Sequence, residues 1–152
     1  MKITTSLVAS CIALSSATGA LAAAPAILHG PAGPAQEIAA AEKHWTEHMA
    51  QVGVVQGMAD FLDPNEGMSF AGGVPLHAAD FKGPHTSETL SWTPTEIFVA
   101  KSGDMGASWG QWVDDPGVAG AKKTTGRYVT VWKRGADGVW HALMDVGAPD
   151  HR

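Results

Sequence analysis

The chain has 152 residues, of which 45% are hydrophobic and 16% are charged, and its formal net charge is −5 at pH 7. That length and that apolar content suit one globular domain with a core of its own. Because the basic residues cluster at most in adjacent pairs, the composition argues against nucleic acid and anionic membranes as partners.

The first 22 residues have the pattern of a signal peptide. Lys2 supplies a positive start, residues 3–20 carry no charge, and Ala20-Leu21-Ala22 places small residues where signal peptidase cleaves. The uncharged stretch is shorter than a membrane-spanning helix and is interrupted by Ser and Thr. We therefore expect cleavage before Ala23 and a periplasmic or secreted protein without a membrane attachment.

Cys11 offers one alternative to that export route. The segment Val8-Ala9-Ser10-Cys11 is similar to a lipoprotein acylation box, which would leave a lipid-anchored protein. The short apolar run before Cys11 favours the Ala-rich cleavage site instead. Because Cys11 is the only cysteine and leaves with the signal peptide, we expect no disulfide in the exported protein. Its stability must then come from packing.

The segment after the signal peptide predicts a lead-in followed by two helices. Residues 23–35 are rich in Ala, Pro and Gly and predict a flexible lead-in to a domain over residues 36–150. Residues 36–51 predict a helix, because apolar residues recur there at the spacing of one helix face. That apolar stripe consists of Ile38, Ala41, Trp45, Met49 and Val52. Residues 54–62 predict a second, short helix that begins after Gly53.

The rest of the chain predicts a sheet. Residues 68–71 predict a short strand, and residues 71–85 are irregular around one helical turn near 78–82. Four longer strand-like runs follow, at 90–101, 104–114, 124–134 and 139–146. Gly-containing loops separate these runs and predict an antiparallel meander. Helices followed by such a meander indicate an α+β domain and not a parallel βαβ sheet.

The last hairpin predicts which residues share a sheet face. With a two- or four-residue loop at residues 136–138, even-numbered residues of one strand oppose odd-numbered residues of the other. The face predicted to pack on the helices carries Val129, Val131, Trp140, Ala142, Met144 and Val146. The opposite face, a binding surface or subunit interface, carries Tyr128, Thr130, Trp132, His141, Leu143 and Asp145. A three-residue loop with a bulge would break this assignment.

Five segments carry a resemblance to a known family. They are Leu90-Ser91-Trp92-Thr93-Pro94, Ser102-Gly103-Asp104-Met105-Gly106, residues 126–134, Asp137-Gly138-Val139-Trp140 and Asp145-Val146-Gly147. In this order they resemble the SnoaL-like branch of the nuclear transport factor 2-like superfamily, and within it a group of exported domains of unknown function. The resemblance covers residues 41–150 and is clearest from Leu90 onward.

The resemblance implies a cone. A strongly curved, mostly antiparallel sheet would wrap on the N-terminal helices and enclose an apolar pocket at its open end. Relatives include ketosteroid-isomerase-like and polyketide-cyclase-like enzymes, epoxide hydrolases, and binding or association domains, so the fold leaves the chemistry open. Ketosteroid isomerases resemble one another in a Tyr on the first helix, where this chain has Trp45 and no Tyr. That departure argues against isomerase chemistry of the same type.

Two enzyme motifs occur in contexts that do not support them. His44-Trp45-Thr46-Glu47-His48 spells the inverted zinc-protease pattern, but a domain this small offers no further ligand on a suitable scaffold. Residues 106–110 spell G-x-S-x-G, with Asp145 and His151 following in hydrolase order. Because Ser108 lies inside a predicted strand with no helix behind it, a nucleophile elbow is not expected.

We expect neither a metal nor a cofactor. His77, Asp80 and His85 lie close together in the irregular segment and are a candidate metal site, but such loop residues are more often simply exposed. For His44 and His48, a solvated helix flank is likewise the favoured interpretation.

The aromatic residues and one carboxylate are the best candidates for a pocket. We expect Trp45, Trp92, Trp109, Tyr128 and Glu96 to approach it, since each large ring buries much apolar area. Asp145 and His141 are the tentative catalytic pair, because a carboxylate and an imidazole on one apolar face could transfer protons. A structural role for Asp145, accepting hydrogen bonds or pairing with Arg127 or Lys133, is the competing interpretation.

These observations lead to three hypotheses of function. The first is an exported domain that binds a small hydrophobic or mixed-polarity molecule and forms a homodimer through the outer sheet surface. The second is a cofactor-free enzyme with Asp145 or Glu96 as general base and His141 or Tyr128 polarising an oxygen. The third is a protein-association module, which predicts a filled cone and a large exposed apolar patch.

Overall fold

The computed structural model describes residues 24–71 and 73–150. The predicted signal peptide, its cleavage site and His151 lie outside the described residues. No helix in the described part is long and apolar enough to cross a membrane.

Two helices precede most of the sheet. Helix α1 spans Ala32–Val52 and helix α2 spans Val54–Phe61, so the two predicted helices are confirmed within a few residues, except that α1 starts earlier. Gly53 separates them with a φ of 89°, a conformation that residues with a Cβ rarely adopt. Gly57 packs so closely on α1 that an added Cβ would lie 2.9 Å from Met49. Glycine has a low helix propensity, but at this position its missing Cβ permits the contact between the helices.

The sheet has seven strands. They are β1 Ile27–His29, β2 Met68–Ala71, β3 Val74–His77, β4 Thr89–Val99, β5 Met105–Asp115, β6 Thr124–Arg134 and β7 Trp140–Pro149. Their order across the sheet is β1-β4-β5-β6-β7-β2-β3, with β1 parallel to β4, β2 parallel to β7, and every other pair antiparallel. The sheet is curved and does not close on itself. The predicted α+β cone with a mostly antiparallel sheet is thus confirmed.

Regular secondary structure begins closer to the N-terminus than the composition predicts. Within the predicted flexible lead-in of residues 23–35, Ile27–His29 form strand β1 and α1 begins at Ala32. β1 pairs in parallel with the edge of β4, where His29 stacks on Phe98 at 4.4 Å between ring centroids. The composition does not predict strand β1, because the strand is short, its side chains are exposed, and its partner is a distant segment of the chain.

The loop between β6 and β7 overturns the predicted faces of the last hairpin. It is a three-residue loop, in which Gly138 has a φ of 83° and its N–H donates to the Gly135 carbonyl. The register then shifts once more, because Leu143 is an extra residue in β7 between the partners of Val131 and Trp132. These two irregularities are the bulged arrangement that breaks the simple alternation.

The inner face of β6 and β7 therefore differs from the predicted core face. The inward residues are Tyr128, Thr130, Trp132, Trp140, Ala142 and Asp145. The predicted core residues Val129, Met144 and Val146 are instead 47%, 38% and 37% exposed on the outer face. Only Trp140 and Ala142 of the predicted core set are buried, because they lie before the bulge at Leu143.

The core lies between α1 and the concave face of the sheet. Trp45 is its centre, stacked on Phe61 and in edge contact with Trp92 and Trp132 at 4.8 and 5.8 Å between ring centroids. Ile38, Met49, Leu62 and Ile97 complete the buried apolar set around these rings. Each buried aromatic ring of this kind removes ~150–250 Å² from water, which accounts for a stable core without a disulfide.

Candidate functional site

A cavity of about 510 Å³ opens between α2 and the inner face of β4 to β7. Its aromatic lining consists of Phe70, Phe81, Trp92, Trp112 and Tyr128. Three carboxyl groups, those of Glu88, Asp114 and Asp145, reach the same cavity. The site thus combines a mainly apolar wall with a few acidic groups, as small-molecule sites commonly do.

Asp145 is held in place by two hydroxyl donors. Thr130 Oγ1 on β6 donates to Asp145 Oδ1 at 2.8 Å, and Ser69 Oγ on β2 donates to Oδ2 at 3.3 Å. Both partners lie directly opposite Asp145 in the strand register, one on each side of β7. Burial raises the pKa of Asp145, although the two hydrogen bonds oppose that shift. The carboxyl is therefore oriented, largely surrounded by protein, and still accessible from the cavity.

Behind the cavity wall lies a second carboxyl, that of Glu42 on α1. Glu42 is 1% exposed. Its carboxylate oxygens accept hydrogen bonds from Ser108 Oγ and, at 3.2 Å, from the Tyr128 hydroxyl. Burial raises the pKa of Glu42 to about 7, and the hydrogen bonds from Ser108 and Tyr128 limit the rise. Glu42 therefore changes its protonation state near neutral pH.

Tyr128 connects the buried carboxyl to the cavity. Its ring forms part of the cavity wall while its hydroxyl faces Glu42. Burial, followed by the neighbouring charge of Glu42, raises the pKa of Tyr128, so the phenol stays protonated. On the other side of Glu42, Trp132 Nε1 donates to Ser108 Oγ at 2.9 Å. The hydrogen-bonded chain Trp132–Ser108–Glu42–Tyr128 fixes the inner wall of the site.

At the other end of the cavity, two further acidic groups lie side by side. Glu88 precedes β4 and Asp114 is near the end of β5, and burial together with the nearby Asp114 raises the pKa of Glu88. Asp114 Oδ1 is buried and has no hydrogen-bond partner among the described residues. The indole nitrogen of Trp92, on the neighbouring strand, is buried as well; it lies close enough to Glu42 to oppose the rise in the pKa of that carboxyl but makes no hydrogen bond of normal geometry.

Three of the residues expected at a pocket do line the cavity, namely Trp92, Tyr128 and Asp145. Trp45 does not, because it is 1% exposed in the core and its Nε1 donates to the Gly57 carbonyl at 2.9 Å. Trp109 lies on the outer face, since its neighbours Ser108 and Gly110 are the buried ones. Trp112, on the inner face of the same strand, takes the place that the sequence analysis gives to Trp109.

The other two candidates, Glu96 and His141, also lie away from the cavity. Thr95 is an extra residue in β4, so the register shift places Glu96 on the face opposite Trp92. There its Oε2 lies 2.8 Å from His29 Nε2. His141 pairs with Lys133 on the outer side of β7, and the bulge at Leu143 separates it from Asp145. The tentative Asp145–His141 pair is therefore not assembled.

The enzyme-like motifs have structural roles. Ser108 lies inside β5, as expected, with its hydroxyl engaged by Glu42 and Trp132, and no helix follows it. His48 Nε2 lies 2.7 Å from Asp60 Oδ2, which links α1 to α2. His77 and Asp80 cap one short helical turn. Over residues 24–71 and 73–150, no group of three or more His, Cys, Asp or Glu side chains is placed to hold a metal ion.

Glu42 is not among the predicted site residues, although the sequence carries a signal for it. The buried positions of α1 are Ala35, Ile38, Glu42, Trp45 and Met49, which alternate steps of three and four residues. Glu42 occupies the position that the stripe requires, whereas the apolar neighbour Ala41 is only partly buried. An acidic residue at a stripe position is a pattern that can be recognised before a structure is known.

The known proteins that resemble this chain are found among solved structures. No family model matches the chain, and no curated protein matches it. An NTF2-like protein with a cystatin-like fold from Novosphingobium aromaticivorans aligns with a TM-score of 0.62 and 15% identity, over 77% of this chain and 82% of that one.

Two further solved structures show the same architecture. A nuclear transport factor 2-like superfamily protein from Salmonella enterica serovar Typhimurium aligns with a TM-score of 0.60 and 14% identity, over 79% of this chain and 93% of the other. ActVI-ORFA from Streptomyces coelicolor aligns with a TM-score of 0.55 and 16% identity, over 79% and 99%. At these identities the similarity establishes the fold and leaves the activity open.

Proposed function

We propose that this chain, which has the cone fold of the nuclear transport factor 2-like superfamily, is a binding domain for a small molecule of mixed polarity. The observation that carries the proposal is the cavity of about 510 Å³, with five aromatic rings and the oriented carboxyl of Asp145 in its wall. A cavity of that volume suits a drug-sized ligand, and its apolar lining provides the driving force for binding.

The position of Asp145 supports a ligand with a hydrogen-bond donor. Thr130 and Ser69 each use one hydroxyl to orient the carboxyl, which leaves acceptor capacity on both oxygens. A ligand donor would satisfy that capacity inside a partly dry cavity, where hydrogen bonds to charged groups are strong. The aromatic rings would then contact the apolar body of the ligand.

The experiment is a fluorescence titration with the uncharged dye N-phenyl-1-naphthylamine. Leu90→Trp narrows the cavity from β4, and Val118→Trp adds the same ring at a loop position that is 64% exposed. We expect saturable binding to the wild-type protein and to Val118→Trp, and weaker binding to Leu90→Trp. Equal binding by all three proteins would place the dye elsewhere and refute the proposed site.

A second candidate function is a cofactor-free enzyme that uses Asp145 as general base. It is favoured by one observation, the oriented carboxyl of Asp145 in the wall of an apolar cavity, where burial raises its pKa. Asp145→Asn separates the two functions. If Asp145 is the general base, this variant abolishes turnover of a substrate that it still binds, because the amide keeps a carbonyl oxygen that can accept the ligand's donor.

We also propose a homodimer through the outer face of the sheet. Two neighbouring cross-strand rows there are largely apolar, and this patch consists of Phe98, Ala107, Val131, Met144, Trp109, Val129 and Val146. Phe98 and Val129 are 43% and 47% exposed on this face, where an antiparallel sheet that meets water usually carries polar side chains. A second copy would remove this apolar patch from water.

Export is proposed as well, on the signal-peptide pattern of residues 1–22. N-terminal sequencing of the protein recovered from the periplasm or the medium tests it. A mature terminus at Ala23 supports cleavage at the expected site, whereas an intact Met1 in the recovered protein refutes it.

A further inference from the structure

We infer that the ligand of this cavity is an organic cation, an amine or quaternary ammonium group attached to an apolar body. The inference rests on the proposed binding function and specifies the chemical class that the site selects. Three features of the cavity support it: its unbalanced charge, a buried acceptor without a partner, and the aromatic rings beside the acids.

The charge of the cavity wall is one-sided. Glu88, Asp114 and Asp145 line it, and the other lining residues include no Lys, Arg or His. The ion pairs of the described structure lie elsewhere, and none includes any of these three carboxyl groups. Adjacent Asp115, by contrast, points away and pairs with Lys123 at 2.9 Å. Carboxyl groups that share an apolar cavity without a countercharge attract a cation.

The acceptor without a partner is Asp114 Oδ1. It is buried and accepts no hydrogen bond from the described residues when the carboxyl groups are ionised, since Glu88 beside it has a proton to donate only in its neutral form. Buried polar atoms in folded proteins are nearly always hydrogen-bonded, so an exception at a cavity marks a place where a ligand donor fits. Glu88 lies next to Asp114, and together they form an acidic end to an otherwise apolar space.

The aromatic rings determine which kind of cation fits. Trp92 and Trp112 are directly opposite each other on β4 and β5, and Tyr128 lies on the next strand, 6.2 Å from Trp92 between ring centroids. Ring faces attract alkylammonium groups, and Trp does so most strongly. A bare metal ion would require converging oxygen ligands, and no such group is present over residues 24–71 and 73–150. An organic ammonium ion satisfies the rings and the carboxylates together.

The test compares two probes of the same shape, the cation phenyltrimethylammonium and its uncharged isostere tert-butylbenzene. Each is titrated against protein loaded with N-phenyl-1-naphthylamine, and displacement of the dye gives its affinity. We expect the cation to bind at least about tenfold more tightly than the isostere. In Glu88→Gln and Asp114→Asn, we expect the affinity for the cation to fall by about threefold or more, with the isostere unchanged.

Glu47→Gln is the matched control, because Glu47 is an exposed acid on α1 and pairs with Lys43. It removes the same formal charge without changing the cavity, so its affinity for the cation stays at the wild-type value. Circular dichroism verifies that each variant is folded.

The outcomes separate this inference from the proposed function. Equal displacement by the two probes, or an unchanged affinity for the cation in both cavity variants, overturns the cation inference while the cavity remains a binding site. If the dye itself fails to bind the wild-type protein, the proposed function fails and the cation inference fails with it.

Discussion

The hydroxyl of Tyr128 on β6 donates to Oε2 of Glu42 on α1 at 3.2 Å, and this contact joins the cavity wall to the core. Both groups are buried, at 5% and 1% exposure. The helix is therefore connected to the sheet by a titratable group, and the protonation of that group has consequences for stability.

Glu42→Gln should change how stability depends on pH. The pKa of Glu42 is raised from 4.5 to about 7 in the folded protein, so the folded state holds this proton more tightly than the unfolded state. The resulting stabilisation is fully present below pH 4.5 and is lost as the pH rises through 7. Between pH 4.5 and 8, the wild-type protein should lose on the order of 3 kcal/mol relative to the variant.

The measurement is urea unfolding of both proteins at several pH values between 4 and 8. Asp145 titrates in both proteins and cancels only in part, because its charge also acts on Glu42. Glu47→Gln, an exposed position on the same helix, serves as the control and should keep a constant offset from the wild-type protein. Parallel stability curves for wild type and Glu42→Gln would show that folding does not shift the pKa of Glu42.

Thr130→Val should raise the pKa of Asp145 further. The Thr130 hydroxyl donates to the ionised carboxyl at 2.8 Å and opposes the effect of burial on its pKa. Without that hydrogen bond, the effect of burial is less opposed and the pKa rises. Ser69→Ala should raise that pKa by less, because its hydrogen bond is longer, at 3.3 Å. Carbon-13 NMR titration of the carboxyl groups measures both shifts. A lower pKa in Thr130→Val would contradict the assignment of this hydrogen bond.

Gly57→Ala should destabilise the protein, although alanine favours helices. The new Cβ would lie 2.9 Å from Met49, and α1 and α2 would have to separate, at a cost of about 1–3 kcal/mol. Gly33→Ala is the matched control, because Gly33 is also helical and nothing lies within 4 Å of its added Cβ. Its stability should stay the same or rise by up to about 1 kcal/mol. Thermal unfolding distinguishes the two, and equal effects would refute the packing argument.

Val129→Lys should dissociate the proposed homodimer. It places a charge in the middle of the apolar patch on the outer face, where a second copy would have to bury it. Val118→Lys adds the same charge at a loop position that is 64% exposed and should leave the assembly intact. Sedimentation velocity gives the mass of each protein in solution. A wild-type protein that sediments as a monomer would refute the dimer.

The sequence predicts most elements of this fold because their signals are local. The four long strands β4 to β7 appear as runs of strand-forming residues between turn signals, and all four are present within a few residues of their expected ends. Strand β1 escapes prediction because it has three exposed residues and pairs with a segment far away in the chain. Such pairing depends on tertiary structure and leaves no periodic signal of its own.

The site is predicted less well, for one physical reason. In a strand, a single extra residue exchanges the two faces for every position beyond it. Thr95 does this in β4 and separates Glu96 from Trp92, and Leu143 does it in β7 and separates His141 from Asp145. Neither bulge is marked by a glycine or proline at the extra position itself, so alternation counted along the sequence assigns these side chains to the wrong faces.

The extra residue in β7 also determines the chemical character of the cavity. If Leu143 were paired in regular alternation instead of forming a bulge, Met144 and Val146 would point inward in place of Asp145. That part of the cavity would then be lined by aliphatic groups where it now presents a carboxyl. Deleting Leu143, by contrast, would remove the bulge and leave Asp145 on the inner face, so in this strand the pairing of one residue determines which side chains a ligand meets.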